Sequence, residues 1–169
     1  ARAAAMRTDR LASTRRIHQP VNDKQSLASA FDSITYSKGQ VTLAMFETWL
    51  GAERFREGVR RYMRRHAWGS ATGDEFLAAL ADGDTQIQKA FKSFIDQPGI
   101  PKLSLSLLCD GSPRLRITQS RFLPKGSAAV AQSSWQVPMT VRTPAGVRQF
   151  LLREPSGEMP LPDAQCPAW

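Results

Sequence analysis

Two histidines, two cysteines, one pair of adjacent acids and a tyrosine ahead of an apolar helix are the side chains of this 169-residue sequence with chemistry to offer beyond packing. His18 and His66 stand in different segments, so there is no H-E-x-x-H helix to bring two imidazoles to one metal ion. His66 closes a helical stretch, where partial positive charge suits the exposed carbonyls, and His18 neighbours Pro20. No G-x-S-x-G, Walker or G-x-G-x-x-G pattern occurs. Glu75 follows Thr72 at capping-box spacing, and acids such as Asp74 in a first turn need no catalytic reason. Cys109 and Cys166, 57 positions apart, permit one disulfide but make no C-x-x-C or zinc ribbon, and read as free thiols or small buried apolar groups. Tyr36 has an O–H that can donate to a developing anion, although a tyrosine before a helix is ordinarily a packing residue with its hydroxyl satisfied.

The composition, 41% hydrophobic and 22% charged, is that of a folded chain rather than a disordered or collagen-like one. Apolar runs last only a few residues, far below the roughly 18 needed to cross a bilayer, so no membrane is expected as partner. Ala1 is not an initiator methionine and Trp169 ends a Pro-rich stretch, which reads as a piece of a longer polypeptide. A net charge of +8 raises the question of nucleic acid. Up to Gln97 there are 15 Lys and Arg against 11 Asp and Glu, and beyond it 8 against 4, so neither half holds the excess. The one dense run, Arg54, Arg56, Arg60, Arg61, Arg64 and Arg65, is interleaved with Glu53 and Glu57 at helical pairing distances. A basic nucleic-acid-binding helical module is therefore the rival reading, and nucleic acid is not the expected partner.

The elements that must position these residues divide at a proline boundary. Pro20 is the only proline up to Gln97, whereas ten follow it, so a helical part precedes a strand-and-turn part. Ala3 to about Leu11 reads as the end of one helix, and the stretch from there to Tyr36 as an extended crossing with one short turn. Val41, Leu43, Met45, Phe46, Trp49 and Leu50 form an apolar helix that Gly51 closes. Glu53 to His66 follows, with Phe55, Val59, Tyr62 and Met63 as the apolar stripe, and the two helices should pack together. Thr72 opens a short helix through Phe76, Leu77 and Leu80, and Ile87, Phe91, Phe94 and Ile95 mark another that stops before Pro98. Leu103, Leu105 and Leu107 alternate with serines and pair through a turn at Asp110-Gly111 with Leu115 and Ile117. Residues 135–141 and 147–152 make a second hairpin about Pro144-Ala145-Gly146. The predicted fold is α+β: four to six packed helices, then a short antiparallel β-sandwich-like part.

On this frame the sequence resembles a known family. Phe31-Asp32-Ser33-Ile34-Thr35-Tyr36-Ser37-Lys38-Gly39, an apolar helix, Trp49-Leu50-Gly51 and Phe55-Arg56-Glu57-Gly58-Val59 resemble the zinc aminopeptidases of the aminopeptidase N type, within the gluzincin metallopeptidases. Met6-Arg7-Thr8-Asp9, Leu11-Ala12-Ser13, Ala71-Thr72 and Asp74-Glu75-Phe76 agree in order. Gln97-Pro98-Gly99-Ile100-Pro101 resembles the exit from the catalytic domain, and Gln119, Arg121-Phe122 and Trp135 with Val137-Pro138 the sandwich that follows. The similarity is collinear over essentially the whole chain, the Tyr-x-Lys-Gly block being its most specific part. Gln40 replaces a small residue, and Phe94 stands where a tryptophan is common; both keep the helical pattern.

The resemblance implies a hydrolase in which zinc, held by H-E-x-x-H and a later Glu, polarises the scissile carbonyl of a peptide, while the residue at Tyr36 donates its phenolic proton to the oxyanion. In the family the zinc ligands and a Gly-x-Met-Glu-Asn substrate segment lie upstream of Ala1. This piece alone is therefore expected neither to bind the catalytic zinc nor to cleave peptides. Residues 1–99 then correspond to the end of the catalytic domain and residues 100–169 to a partial β-sandwich domain. Lys38 and Gly39 are expected to be structural, Gly39 allowing a backbone turn and Lys38 supplying a solvated or ion-paired cation. A sheet cut short leaves strand edges open, so the isolated piece is expected to self-associate. A non-catalytic scaffold of the same fold is the third reading.

Overall fold

The computed structural model describes residues 2–127, 133–162 and 166; Ala1 and Trp169, at the two ends, lie outside the described residues. The helical part runs α1 (Arg2–Asp9), α2 (Lys24–Ala30), a π-helical turn (Ile34–Lys38), α3 (Gly39–Leu50), α4 (Ala52–Arg65), α5 (Gly73–Ala81) and α6 (Thr85–Ile95). Five strands follow: β1 (Pro101–Leu108), β2 (Arg114–Arg121), β3 (Val137–Thr143), β4 (Gly146–Leu152) and β5 (Ser156–Pro160). The expected α+β order, helices first and antiparallel strands after, is the observed one.

Local chemistry sets the helix ends. Gly51 closes α3 at φ 86°, a conformation that a side chain would strain. The Thr72 hydroxyl accepts the Glu75 N–H at 3.2 Å and the Glu75 carboxylate accepts the Thr72 N–H at 2.7 Å, which is the capping box that the spacing predicts. The crossing from α1 to Tyr36 holds more structure than its polar sequence suggests: Asp23 caps α2 through the Ser26 N–H, and the π turn leads straight into α3. Gly39 is not the expected turn. It is helical at φ −56°, and a Cβ on it would meet nothing within 4 Å.

α4 presents Gly58, with Phe55, Val59 and Tyr62 partly covered, to its neighbours and leaves Met63 62% exposed. Met63 therefore falls outside the buried stripe, because one further residue turns the helix about 100° away from that face. The helix packs on α3 and more extensively on α5, where Gly58 lets the backbones touch.

The strands form a three-stranded antiparallel sheet in the order β1-β2-β5 and a separate β3-β4 hairpin. Leu105 faces Ile117, and Leu107 faces Leu115, as the alternation predicts, but the β1–β2 connection runs from Cys109 to Pro113 rather than as a two-residue turn. β5 went unread in the sequence because Ser156-Gly157-Glu158-Met159-Pro160 has one large apolar residue and no alternation to find. One apolar core joins both parts: Phe46, Leu77, Phe91 and Phe94 from the helices meet Ile117, Trp135, Val137, Leu152 and Met159. Within the strand part, Gln119 ties β2 to the segment before β3 with one amide group, donating to the Trp135 carbonyl at 2.8 Å and accepting the Trp135 N–H at 2.9 Å. Cys109 and Cys166 are joined in a disulfide, a correction to the free-thiol reading; sequence separation says nothing of how the β1–β2 loop and the segment after β5 meet.

Candidate functional site

Tyr36 sits in the π-helical turn, 63% exposed, between two inward-facing residues at i−2 and i+2: Ile34 and Lys38 are both buried. A π turn carries one more residue per turn than the α-helix it joins, and such widened turns recur at functional sites. Here the widening turns Ile34 and Lys38 into the protein and leaves the tyrosine facing out.

The turn is anchored on its N-terminal side by Asp32. The Thr35 N–H donates to Asp32 Oδ1 at 3.0 Å, and the Arg15 guanidinium lies 2.6 Å from the same oxygen while its Nε donates to Oδ2 at 3.1 Å. Arg15 also donates to the Thr35 hydroxyl at 3.0 Å, so one arginine from the crossing segment fixes two consecutive features of the turn. Burial alone would raise the Asp32 carboxyl, but the Thr35 N–H and the Arg15 guanidinium hold it below its ordinary range.

The C-terminal side is anchored by Lys38, and this anchor is buried. Lys38 Nζ lies 3.0 Å from Asp9 Oδ2 and donates to the Gln97 and Gly99 carbonyls, each at 3.0 Å. Its approach to Asp9 is a charge contact; the well-directed hydrogen bonds go to the two carbonyls. Asp9 Oδ1 accepts the Gly99 N–H at 3.0 Å and the Thr14 hydroxyl at 3.2 Å. Gly99 adopts φ +87°, and a Cβ there would come within 2.6 Å of Arg121 Nε, so a side chain at this position would be strained. Burial pushes the Lys38 ammonium below its ordinary value, opposed by the Asp9 carboxylate. Of the two roles expected for Lys38, the ion-paired cation is the one found.

Two hollows flank the turn. Thr35 lines a groove of ≈ 560 Å³ with Ile17, His18, Thr72, Asp74 and Ile95, and Lys38 lines a smaller, almost wholly apolar hollow of ≈ 140 Å³ with Met6, Val41, Met45, Phe94 and Ile100. His18 Nδ1 lies 2.8 Å from the Asp96 carboxylate, which straps the crossing segment to the end of α6.

Residues 1–97 match the model of the peptidase family M1 domain. The chain belongs to peptidase family M1. The turn bearing Tyr36 and its anchors Asp9, Arg15, Asp32 and Lys38 all fall within the matched region. Among known proteins, the chain is similar to the Tricorn protease-interacting factor F2 of Thermoplasma acidophilum, at 32% identity over 151 residues, 89% of this chain and 19% of that protein. It is 34% identical over 155 residues to Aminopeptidase M1 of Arabidopsis thaliana, 90% of this chain and 17% of the relative. With the Puromycin-sensitive aminopeptidase of Caenorhabditis elegans it shares 30% identity over 173 residues, 99% of this chain and 18% of the relative. The M1 chain thus spans about a fifth of the length of the relatives it matches.

Among the described residues of this M1 chain no three His, Cys, Asp or Glu side chains converge to hold a metal ion, so these residues do not fit a zinc site. Four of the six arginines of the α4 run are taken up locally. Glu53 pairs with Arg56 and Glu57 with Arg60, while Arg54 and Arg61 donate to carbonyls at the end of α5. Sequence reasoning singled out Tyr36 and the block around it and quoted Asp9 within Met6-Arg7-Thr8-Asp9, but gave Asp9 no partner and missed Arg15, because both take part only through contacts distant in the chain.

Proposed function

We propose that this chain is the part of an M1 zinc aminopeptidase that supplies Tyr36 as oxyanion donor and one wall of the substrate cleft. The supporting observation is that the exposed phenol stands on a turn clamped at both ends, by Arg15–Asp32 before it and Asp9–Lys38 after it. An O–H held in a fixed place follows negative charge as it develops on the carbonyl oxygen without reorganising, which is where a donor accelerates the reaction. The substrates are peptides, cleaved at their N-terminal residue. Zinc, when bound, would polarise the scissile carbonyl, and its ligands are assigned to parts of the protein other than the residues described. Residues 1–99 are the closing portion of the catalytic domain and residues 100–169 the opening of a β-sandwich domain. The isolated chain is accordingly inactive toward an aminoacyl p-nitroanilide.

The test is Tyr36→Phe in the full-length enzyme. Removing the donor should lower kcat about 10²- to 10³-fold, as for other single oxyanion donors, with KM little moved. An unchanged kcat overturns the assignment.

A further inference from the structure

Resting on the oxyanion reading of Tyr36, we infer that the buried Lys38–Asp9 pair is the lock that sets where the Tyr36 phenol stands, Lys38 being a positioning residue that does not touch substrate. A buried ion pair is a poor way to gain stability, since desolvating two charges offsets most of their attraction and apolar side chains of similar volume hold a fold as well. What it gives that apolar packing does not is direction. Lys38 Nζ reaches oxygens from two segments distant in the chain, Asp9 at the end of α1 and the Gln97 and Gly99 carbonyls between α6 and β1. Asp9 closes the ring by accepting the Gly99 N–H. Gly99 holds a positive φ of 87° with the Arg121 side chain packed against its Cα, a position that suits glycine alone.

Lys38 is the last residue of the π turn and Tyr36 its centre, so fixing Lys38 fixes the rotation at which the wide turn meets α3. The other anchor is only partly buried: Arg15 and Asp32 keep 25% and 40% of their side-chain surface, so water and salt reach it as they do not reach Lys38 and Asp9. The rigid end of the turn is therefore the buried one. Displacing a catalytic group by about 1 Å costs up to about 10²-fold in rate, which gives the lock a kinetic signature.

The experiment is a double-mutant cycle in the full-length enzyme, pairing Lys38→Met with Tyr36→Phe and checking each variant for native circular dichroism and metal content. Lys38→Met should lower kcat about 10- to 100-fold with KM within about twofold, and should lower it no further in the Tyr36→Phe background. A purely structural role would reduce kcat in both backgrounds. Should Lys38→Met fail to fold, the double replacement Asp9→Leu with Lys38→Met removes both charges together and takes its place in the cycle. A folded variant with wild-type kcat, a loss that persists in the Tyr36→Phe background, or a double replacement that does not fold overturns the inference. Tyr36→Phe without effect overturns instead the reading on which it rests.

Discussion

The Asp9 carboxylate and the Lys38 ammonium stand 3.0 Å apart, both almost sealed from solvent, and both hold the backbone of Gly99, one through its N–H and the other through its carbonyl. Each charge is tolerated there because the other is present.

Removing one partner exposes that dependence. Asp9→Ala leaves the ammonium buried without a counter-ion and is expected to destabilise the fold by about 3–5 kcal/mol, read by urea denaturation. The deficit has a pH signature. Burial holds the folded-state pKa of Lys38 below its ordinary 10.5, so the unfolded chain binds more protons and stability rises with pH as the folded-state amine deprotonates. Without Asp9 to oppose that shift, the variant should recover part of its loss as pH is raised toward 10.5. A deficit that is constant or grows over that range counts against the account.

Gly58→Ala tests the close approach of α4 and α5. Alanine gains about 1 kcal/mol in helix propensity, but the new Cβ would lie 2.9 Å from Leu80 Cα and 3.1 Å from the Ala79 carbonyl oxygen. These are backbone atoms that cannot swing aside, so overpacking of about 1–3 kcal/mol should win. The expected outcome is a lower Tm; a higher one would show that α5 yields.

Joining Cys109 to Cys166 closes a long loop, and in the chain-entropy picture its reduction costs up to about 4 kcal/mol. Thiol titration of the denatured, unreduced chain should find no free cysteine, and a reductant should lower Tm. Two titratable thiols would remove the cross-link from the structure.

Self-association of the isolated chain is expected along β1, an edge strand among the described residues, whose Leu105 and Leu107 are 54% and 44% exposed. Light scattering should give a mass that climbs with concentration, and Leu105→Lys should suppress the climb. A monomer at high concentration, or an unaffected variant, removes this edge from consideration.

The long apolar helices were legible because each carries its own periodic stripe: Phe46 and Trp49 mark α3, and Ile87, Phe91 and Phe94 mark α6. The hairpins were legible for the same reason at period two, and the Thr72–Glu75 cap because its partners sit three residues apart. Met63 marks the limit of that reasoning. A stripe names the residues able to be buried, whereas the face that is buried depends on which neighbour arrives, and α5 arrived against Gly58.

Local elements, their order and the block around Tyr36 are thus written in the sequence, since propensity, capping and periodicity act over a few residues. The surroundings of that tyrosine come from the folded chain alone: Lys38 is buried against Asp9, Arg15 brackets Asp32 and Thr35, Gly99 receives both charges, and the two cysteines meet. Those contacts join segments far apart in the chain, and their energies come from burial and direction in space, which no short window of sequence contains.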